Sequence, residues 1–383
     1  MSLSARPLDG GARAKHGSHT VRGGAHSERR LQSLPAHVDV LVIGAGIAGL
    51  ATARALLARG RAPVVVEARA TPFQRGSGQN AAVFRHAERD PALVRMVRES
   101  AELFGDLCGA RPFKDTRGAL YLAADEGILA PFARGLAEGG VRRAILDDGA
   151  VRARVTLADS RALHGLLVED DGVMDLALVE RALIAALGSA PLVCGRRVVS
   201  LAPGSPVSVG FDDGARVSAD AVVVATGASS EELAPVPCAP VKRHLAVVEG
   251  TPDAASSWPI VWRLDHEVYL RPSSGVTLSS ACEEIACAPD DERVDEGAAD
   301  AVIARLRTLI DGEPTVRDVW ACLRAWAPDR RPIAGAVPAM PGVFVVGALG
   351  GCGMSLGMAV ADRAARAVVD GTEEPLLAPG RFS

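Results

Sequence analysis

The chain has 383 residues, 48% of them hydrophobic and 23% charged, a size that suits two or three folding units or one large α/β body with an insertion. A net charge of −4, from 42 Lys+Arg against 46 Asp+Glu, and an aromatic content of 4% speak against a basic stripe or stacking platform for nucleic acid, so no nucleic-acid partner is expected. The seven cysteines form no CxxC pair and no Cys/His cluster, which predicts reduced thiols in a cytoplasmic protein without structural zinc or any other metal.

Residues 1–36 are rich in Gly, Arg, His and Ser and read as a disordered N-terminal tail. Arg29-Arg30 is followed by a fold element rather than a removable apolar segment, so no export signal is expected. No apolar run reaches the roughly 18 residues of a membrane span. Order is predicted to begin at Val38-Asp-Val-Leu-Val-Ile-Gly44, a strand buried on both faces. A helix over Ile47–Arg59 and a second buried strand at Pro63–Glu67 complete a βαβ opening. Asp90-Pro91 caps a helix running to about Cys108. Further along, Leu176–Leu187 reads as a helix, and Pro191–Leu201 and Pro206–Phe211 as strands. Asp212-Asp213-Gly214 marks a hairpin, and Ala219–Ala225 is another buried strand. From 240 to 280 the pattern is that of a half-exposed antiparallel sheet. A helix over 294–310, a strand over 315–326, a strand at Gly342–Gly347 and a helix from Met354 to Val369 finish the chain.

Gly44-Ala-Gly46-Ile-Ala-Gly49 fits GxGxxG, follows a predicted strand and opens a helix, and Glu67 ends the next strand. In that context the glycines allow a tight turn, close approach of a pyrophosphate and close helix–strand packing, while Glu67 suits an adenosine ribose. This motif serves FAD or NAD alike. A second glycine loop at Gly347–Gly353 opens another helix far along the chain, and a ligand reaching both helix N-termini is extended, as FAD is.

With these motifs in hand, residues 37–383 resemble the FAD-dependent D-amino-acid oxidase/glycine oxidase/sarcosine oxidase superfamily. The resemblance rests on the Gly44–Glu67 unit, Gly76-Ser-Gly-Gln-Asn80, Ala225-Thr-Gly-Ala228, Leu323-Arg-Ala-Trp-Ala-Pro-Asp329 with Pro332-Ile-Ala-Gly335, and Gly350-Gly-Cys-Gly353. In general texture the chain is nearest to D-arginine dehydrogenase-like members. The resemblance implies a Rossmann-like FAD-binding domain with a parallel sheet (37–88, 155–232 and 325–375) and an interleaved α+β substrate domain with an antiparallel sheet (89–154 and 233–324). FAD contacts are expected at Gly44, Gly46, Gly49, Glu67, Ala68, Arg69, Gln79, Asn80, Ala81, Val198, Ala225, Thr226, Gly227, Gly350, Gly351, Cys352, Gly353 and Met354.

The implied activity is oxidation of the C–N bond of a small amino acid or N-substituted amino acid, by hydride transfer to flavin N5 and hydrolysis of the imine, with oxygen, a quinone or a carrier taking the electrons. Arg324 shares a strand face with Trp320, Cys322 and Trp326, and an arginine there demands an anion. It matches the family's carboxylate-binding arginine; an ion pair with Asp329 is the competing explanation. Tyr269 matches a tyrosine holding the same carboxylate, and a second arginine falls near Lys242-Arg243-His244, where strand alternation lets either Arg243 or His244 face inward. Val83 and Glu88 stand where the basic-substrate members carry His and Tyr, which puts arginine or lysine as substrate in doubt. Glu88 is a candidate contact for a substrate amine and His86 a candidate base. Alternatives are a 2-hydroxy-acid dehydrogenase on the same clamp, a non-catalytic flavin-binding subunit of a larger complex, and an NAD-dependent Rossmann dehydrogenase.

Overall fold

The computed structural model of the chain describes residues 34–273 and 276–383; the tail expected over 1–36 lies, up to residue 33, outside them. Two large sheets organise the remainder. In the first, four successive neighbours pair in parallel: Val343–Gly347, Arg216–Val224, His37–Ile43 and Pro63–Glu67. Leu192–Cys194 extends that series, and Ile333–Ala336 closes the other edge antiparallel. The central strands are apolar and buried on both faces over Val40–Ile43 and Ala221–Val224, as a sheet covered by helices on each side requires.

The helix Ile47–Leu57 is apolar on nearly every face, with Leu50, Ala53 and Leu56 fully buried. It packs against both the sheet and the last helix, Gly353–Asp370. Gly49 makes that packing possible: a Cβ there would sit 1.8 Å from the carbonyl oxygen of Gly44. The helix Pro91–Cys108 starts as predicted, with the Asp90 carboxylate accepting from the Ala92 N–H at 2.9 Å.

The second sheet has nine strands. Thr315–Trp326 pairs along almost its full length with Ala239–Glu249, which continues through Val276–Ser280, Val268–Ser273 and Ile260–Arg263. Ile260–Arg263 then joins Ala119–Ala123 in parallel. This sheet is not half-exposed as its alternation suggested. Ala239–Glu249 and Val268–Ser273 are buried on both faces, because one face packs on the helix Ala298–Leu306 through Val302 and Leu306 and the other forms the wall of a cavity. That helix is shorter than the predicted 294–310, since Gly297 at its start takes a left-handed φ of 77°.

The interleaving of the two sheets is finer than the expected boundaries. His164–Val168, within 155–232, pairs into the second sheet, while Pro91–Cys108, within 89–154, packs its Leu93, Val97 and Phe104 into the core of the first. The single strand expected over Pro191–Leu201 is broken at Gly195, with φ 77°, into Leu192–Cys194 and Val198–Ala202.

Candidate active site

One cavity runs from the Gly44–Gly46 turn past Glu67, Thr226 and Gly350 to Arg324. Its first end is built from backbone. Glu67 accepts from the Ala45 N–H at 2.7 Å and the Arg69 N–H at 2.8 Å, and the Ser77 hydroxyl accepts from the Ile47 N–H at 2.9 Å. Asn80 ties its own loop together by donating to the carbonyls of Gly76 and Ser77. The helices starting at Pro91, Glu126, Asp148 and Leu176 are each capped by an aspartate. At the two helices that open on the cavity, the N-cap residues Gly46 and Cys352 supply no side-chain bond, and at Ile47 only the first N–H is taken, by Ser77. An uncapped N-terminus offers free N–H groups and partial positive charge to an anion.

All the expected FAD contacts line this cavity except Gly49, Gln79 and Cys352. Gly49 serves helix packing instead. Gln79 contributes its backbone carbonyl to the Trp320 indole N–H at 2.7 Å. Cys352 turns away, its thiol 2.6 Å from Arg85 Nη2 and 2.8 Å from Glu88 Oε1, because Gly350, at φ 54°, brings its loop against the Trp326 ring where any Cβ would lie 2.0 Å from that ring.

The second end is built from side chains. Arg324 is 9% exposed. Its one protein hydrogen bond among the described residues runs from Nη1 to the Cys322 carbonyl at 3.1 Å, and no carboxylate among them pairs with it. Asp329, the competing partner, is held by Arg381 at 2.9 Å. A Cβ on Gly351 would stand 3.8 Å from Arg324 Nε, so the second glycine loop meets the guanidinium directly.

The register of Ala239–Glu249 on Thr315–Trp326 sets Arg243 opposite Cys322 and Val241 opposite Arg324. Arg243 therefore shares the face of Arg324 and lines the cavity. Its Nε donates to the Glu283 carbonyl at 3.1 Å, and its nearest acid, Glu284, stands 3.5 Å away while receiving two bonds from Arg330. His244 consequently faces the other way. It does not line the cavity: its Nδ1 lies 2.7 Å from Glu283 Oε1 and its Nε2 accepts from the Asp295 N–H.

Tyr269 lines the cavity beside Trp262, ring centres 5.4 Å apart, and burial pushes its phenol well above the usual tyrosine range, leaving a neutral hydroxyl. Neither His86 nor Glu88 faces the cavity. His86 is buried with Nδ1 2.8 Å from Asp171, whose other oxygen accepts from the Tyr121 hydroxyl at 2.7 Å. Glu88 pairs with Arg85 at 2.9 Å, while Val83 does line the space. Among the cavity residues that sequence reasoning did not pick out are Trp262 and Arg85, whose guanidinium stacks 5.3 Å over the Trp262 ring. Alternation in Ile260-Val-Trp-Arg263 carried the signal for Trp262; Arg85 had none.

Residues 39–367 match the family described as DAO, FAD dependent oxidoreductase. The chain belongs to this FAD-dependent oxidoreductase family. Among curated proteins it is similar to the tRNA 5-methylaminomethyl-2-thiouridine biosynthesis bifunctional protein MnmC of Thiobacillus denitrificans, 30% identical over 95% of this chain and 62% of that protein. Its likeness to the protein of the same name from Caulobacter sp. is 31% over 89% and 57%. The chain thus spans about six tenths of the length of these relatives. Solved structures with the same fold include L-proline dehydrogenase from P. horikoshii, at TM-score 0.81 and 21% identity, covering 91% of this chain and 98% of that one. Glycine oxidase from Bacillus cereus aligns at TM-score 0.74 and 19% identity, over 89% and 97%. FAD is the family's cofactor. The cavity fits it: the glycine-opened helix start at Ile47 with Glu67 would hold the pyrophosphate and ribose, and the loop at Gly350–Met354 would receive the ring. Among the described residues no helix is long and apolar enough to cross a membrane.

Proposed function

We propose that this FAD-dependent oxidoreductase oxidises the C–N bond of a small amino acid or N-substituted amino acid held by its carboxylate. The observation that carries the reading is Arg324, a buried guanidinium without an acid partner, in the same cavity as the dinucleotide loop. Burying an uncompensated charge costs several kcal/mol, and an anionic substrate removes that cost. Arg243 and the neutral Tyr269 hydroxyl border the same space, so a carboxylate there would gain charge-assisted hydrogen bonds from two guanidiniums and one phenol. Bound FAD supplies the two-electron acceptor. The protein's part is to orient and to exclude water: Ile260 and Trp262 cover the apolar part of the substrate, and the N–H groups at the start of Gly353–Asp370 favour negative charge beside it. With His86 committed to Asp171 and no histidine among the described residues lining the cavity, the amine has to arrive neutral and turnover should rise with pH through the substrate's own pKa.

A second reading is favoured by the similarity to proteins named for tRNA modification. In it the same clamp holds an N-substituted amino acid whose amine belongs to a modified tRNA nucleoside. Anaerobic mixing of the purified holoenzyme with glycine, sarcosine, proline, D-amino acids and 2-hydroxy acids, and separately with tRNA whose aminomethyl nucleoside carries an N-carboxymethyl group, tests both. Flavin bleaching by free amino acids is expected. Bleaching by hydroxy acids alone would overturn C–N oxidation, and bleaching by tRNA alone would replace the first reading with the second.

A further inference from the structure

Of the four tryptophans, Trp262 alone lines the cavity. Trp258 is buried in the core of the second sheet, Trp320 donates its indole N–H to the Gln79 carbonyl at 2.7 Å, and Trp326 lies against Gly350. Side chains alternate along Ile260–Arg263. Val261 joins the core packed on Ala298–Leu306 and Arg263 meets two acids, while Ile260 and Trp262 face the cavity. Trp262 pairs with Tyr269 on one neighbouring strand and with Tyr121 on the other, the ring centres lying 5.4 and 6.2 Å away. The row is anchored from behind: the Tyr121 hydroxyl donates to the fully buried Asp171, whose other oxygen accepts from the His86 N–H at 2.8 Å. Arg85, next to His86, lays its guanidinium over the indole. Held on three sides, Trp262 is still only half-buried, and part of its surface is left to the cavity it lines.

Charge narrows what can rest on that surface. Arg85, Arg243 and Arg324 line the cavity, whereas the acids that approach the first two, Glu88 and Glu284, do not, so an ammonium side chain placed there would meet cations. The other neighbours are apolar: Ala81, Val83 and Ile260 line the same space. Adjacent strands stand about 4.8 Å apart, so a group packed on Trp262 is one strand away from a carboxylate held beside Tyr269, the reach of a one- or two-carbon link. An indole packs best against another flat ring, offset or edge to face. We propose that Trp262 is the specificity-determining wall of the substrate cavity and selects substrates that carry a planar, uncharged ring on Cα or on nitrogen. The inference rests on the reading of the cavity as a carboxylate site and narrows its substrate class to amino acids with an aryl or similar flat substituent.

The test titrates the oxidised holoenzyme with phenylacetate, acetate and succinate, following the flavin absorbance shift. Wild type should bind phenylacetate at least about tenfold more tightly than acetate. Trp262→Ala should bring that ratio close to one, and Trp262→Phe, which keeps a ring, should retain most of it. Equal wild-type affinities, or an unchanged ratio in Trp262→Ala, overturn the proposal. So does tighter wild-type binding of succinate than of phenylacetate, since a second anion would then be preferred to a ring. Should Trp262→Ala not fold, Trp262→Leu and the wild-type ratio decide in the same way. Arg324→Met separates the two levels of argument. If it weakens phenylacetate and acetate alike, the carboxylate site stands whatever the ratio shows; if it weakens neither, the site reading fails and this inference with it.

Discussion

Arg263 and Arg324 lie on opposite faces of the same sheet, both buried, in contrasting company. Arg263, fully buried on the face away from the cavity, has Asp159 2.6 Å from Nη1 and Asp265 2.9 Å from Nε. Arg324, on the cavity face, has a single backbone carbonyl. Where a guanidinium serves only the fold, this chain surrounds it with acids. At Arg324, on the cavity face, no acid among the described residues meets the charge. The contrast makes Arg263 a control for every statement about Arg324, since a generic effect of removing a buried arginine would appear equally at both positions.

The largest expected effect is on stability. Arg263→Met leaves Asp159 and Asp265 without their buried cation and should cost about 3–5 kcal/mol, read as a lowered midpoint in urea, while turnover per bound flavin is preserved. Arg324→Met removes an uncompensated charge. It should leave the midpoint unchanged or raise it, while kcat/KM falls by about 100- to 1000-fold, as for loss of one partner of a buried ion pair. If both variants lost stability alike and neither lost turnover selectively, the distinction between the two faces would be wrong.

Acid sharpens the same comparison. A hydrogen bond from Arg161 and the Arg263 guanidinium hold the Asp159 carboxyl below its ordinary range. Asp265, although burial works to raise it, is also held low through Arg263. Groups with depressed folded pKa values contribute stability above the unfolded value of about 3.9, and that contribution is lost as pH falls toward the folded values. The gap in Tm between wild type and Arg263→Met should therefore be widest near pH 7 and narrow below about pH 4. No such narrowing is expected for Arg324→Met, whose site holds no titrating acid partner.

The backbone-built end of the cavity was legible because its requirements are local. Gly44, Gly46, Gly49 and Glu67 fall within one βαβ unit, and the spacing alone states what the turn must do. Parity along Thr315–Trp326 was enough to put Arg324 on an inner face. The choice between Arg243 and His244 needed the register against a strand some eighty residues later, which hydrophobic pattern does not encode. Glu88 illustrates the limit: as a loop acid it suited a substrate amine, yet its partners are Arg85 and Cys352, the latter 264 residues along the chain. The second sheet was misread as half-exposed because alternation reports one apolar face, whereas here Arg243, Tyr269 and Arg324 face a cavity and Lys242 and His244, on the other face, are covered by Asp291, Asp295 and Glu283.

Arg85 stands between the two extremes, a half-buried arginine at the cavity whose charge is met by one carboxylate, Glu88, and by a thiol. Burial pushes the Cys352 thiol up to about 12, with Arg85 working to lower it and Glu88 to raise it. Glu88 acts both as a nearby negative charge and as the acceptor of the S–H, so it favours the protonated thiol twice over. Since only the thiolate is alkylated, Cys352 in the folded holoenzyme should label slowly with iodoacetamide at pH 9, where unfolded chain labels readily. Glu88→Gln removes the negative charge and leaves the Arg85 cation beside the sulfur, so the thiol pKa falls and labelling at pH 9, followed by mass spectrometry of the Cys352 peptide, speeds up. An unchanged rate would mean that Glu88 does not control the charge at this wall, and that Arg85 belongs with Arg324 as a cation awaiting a ligand rather than with Arg263.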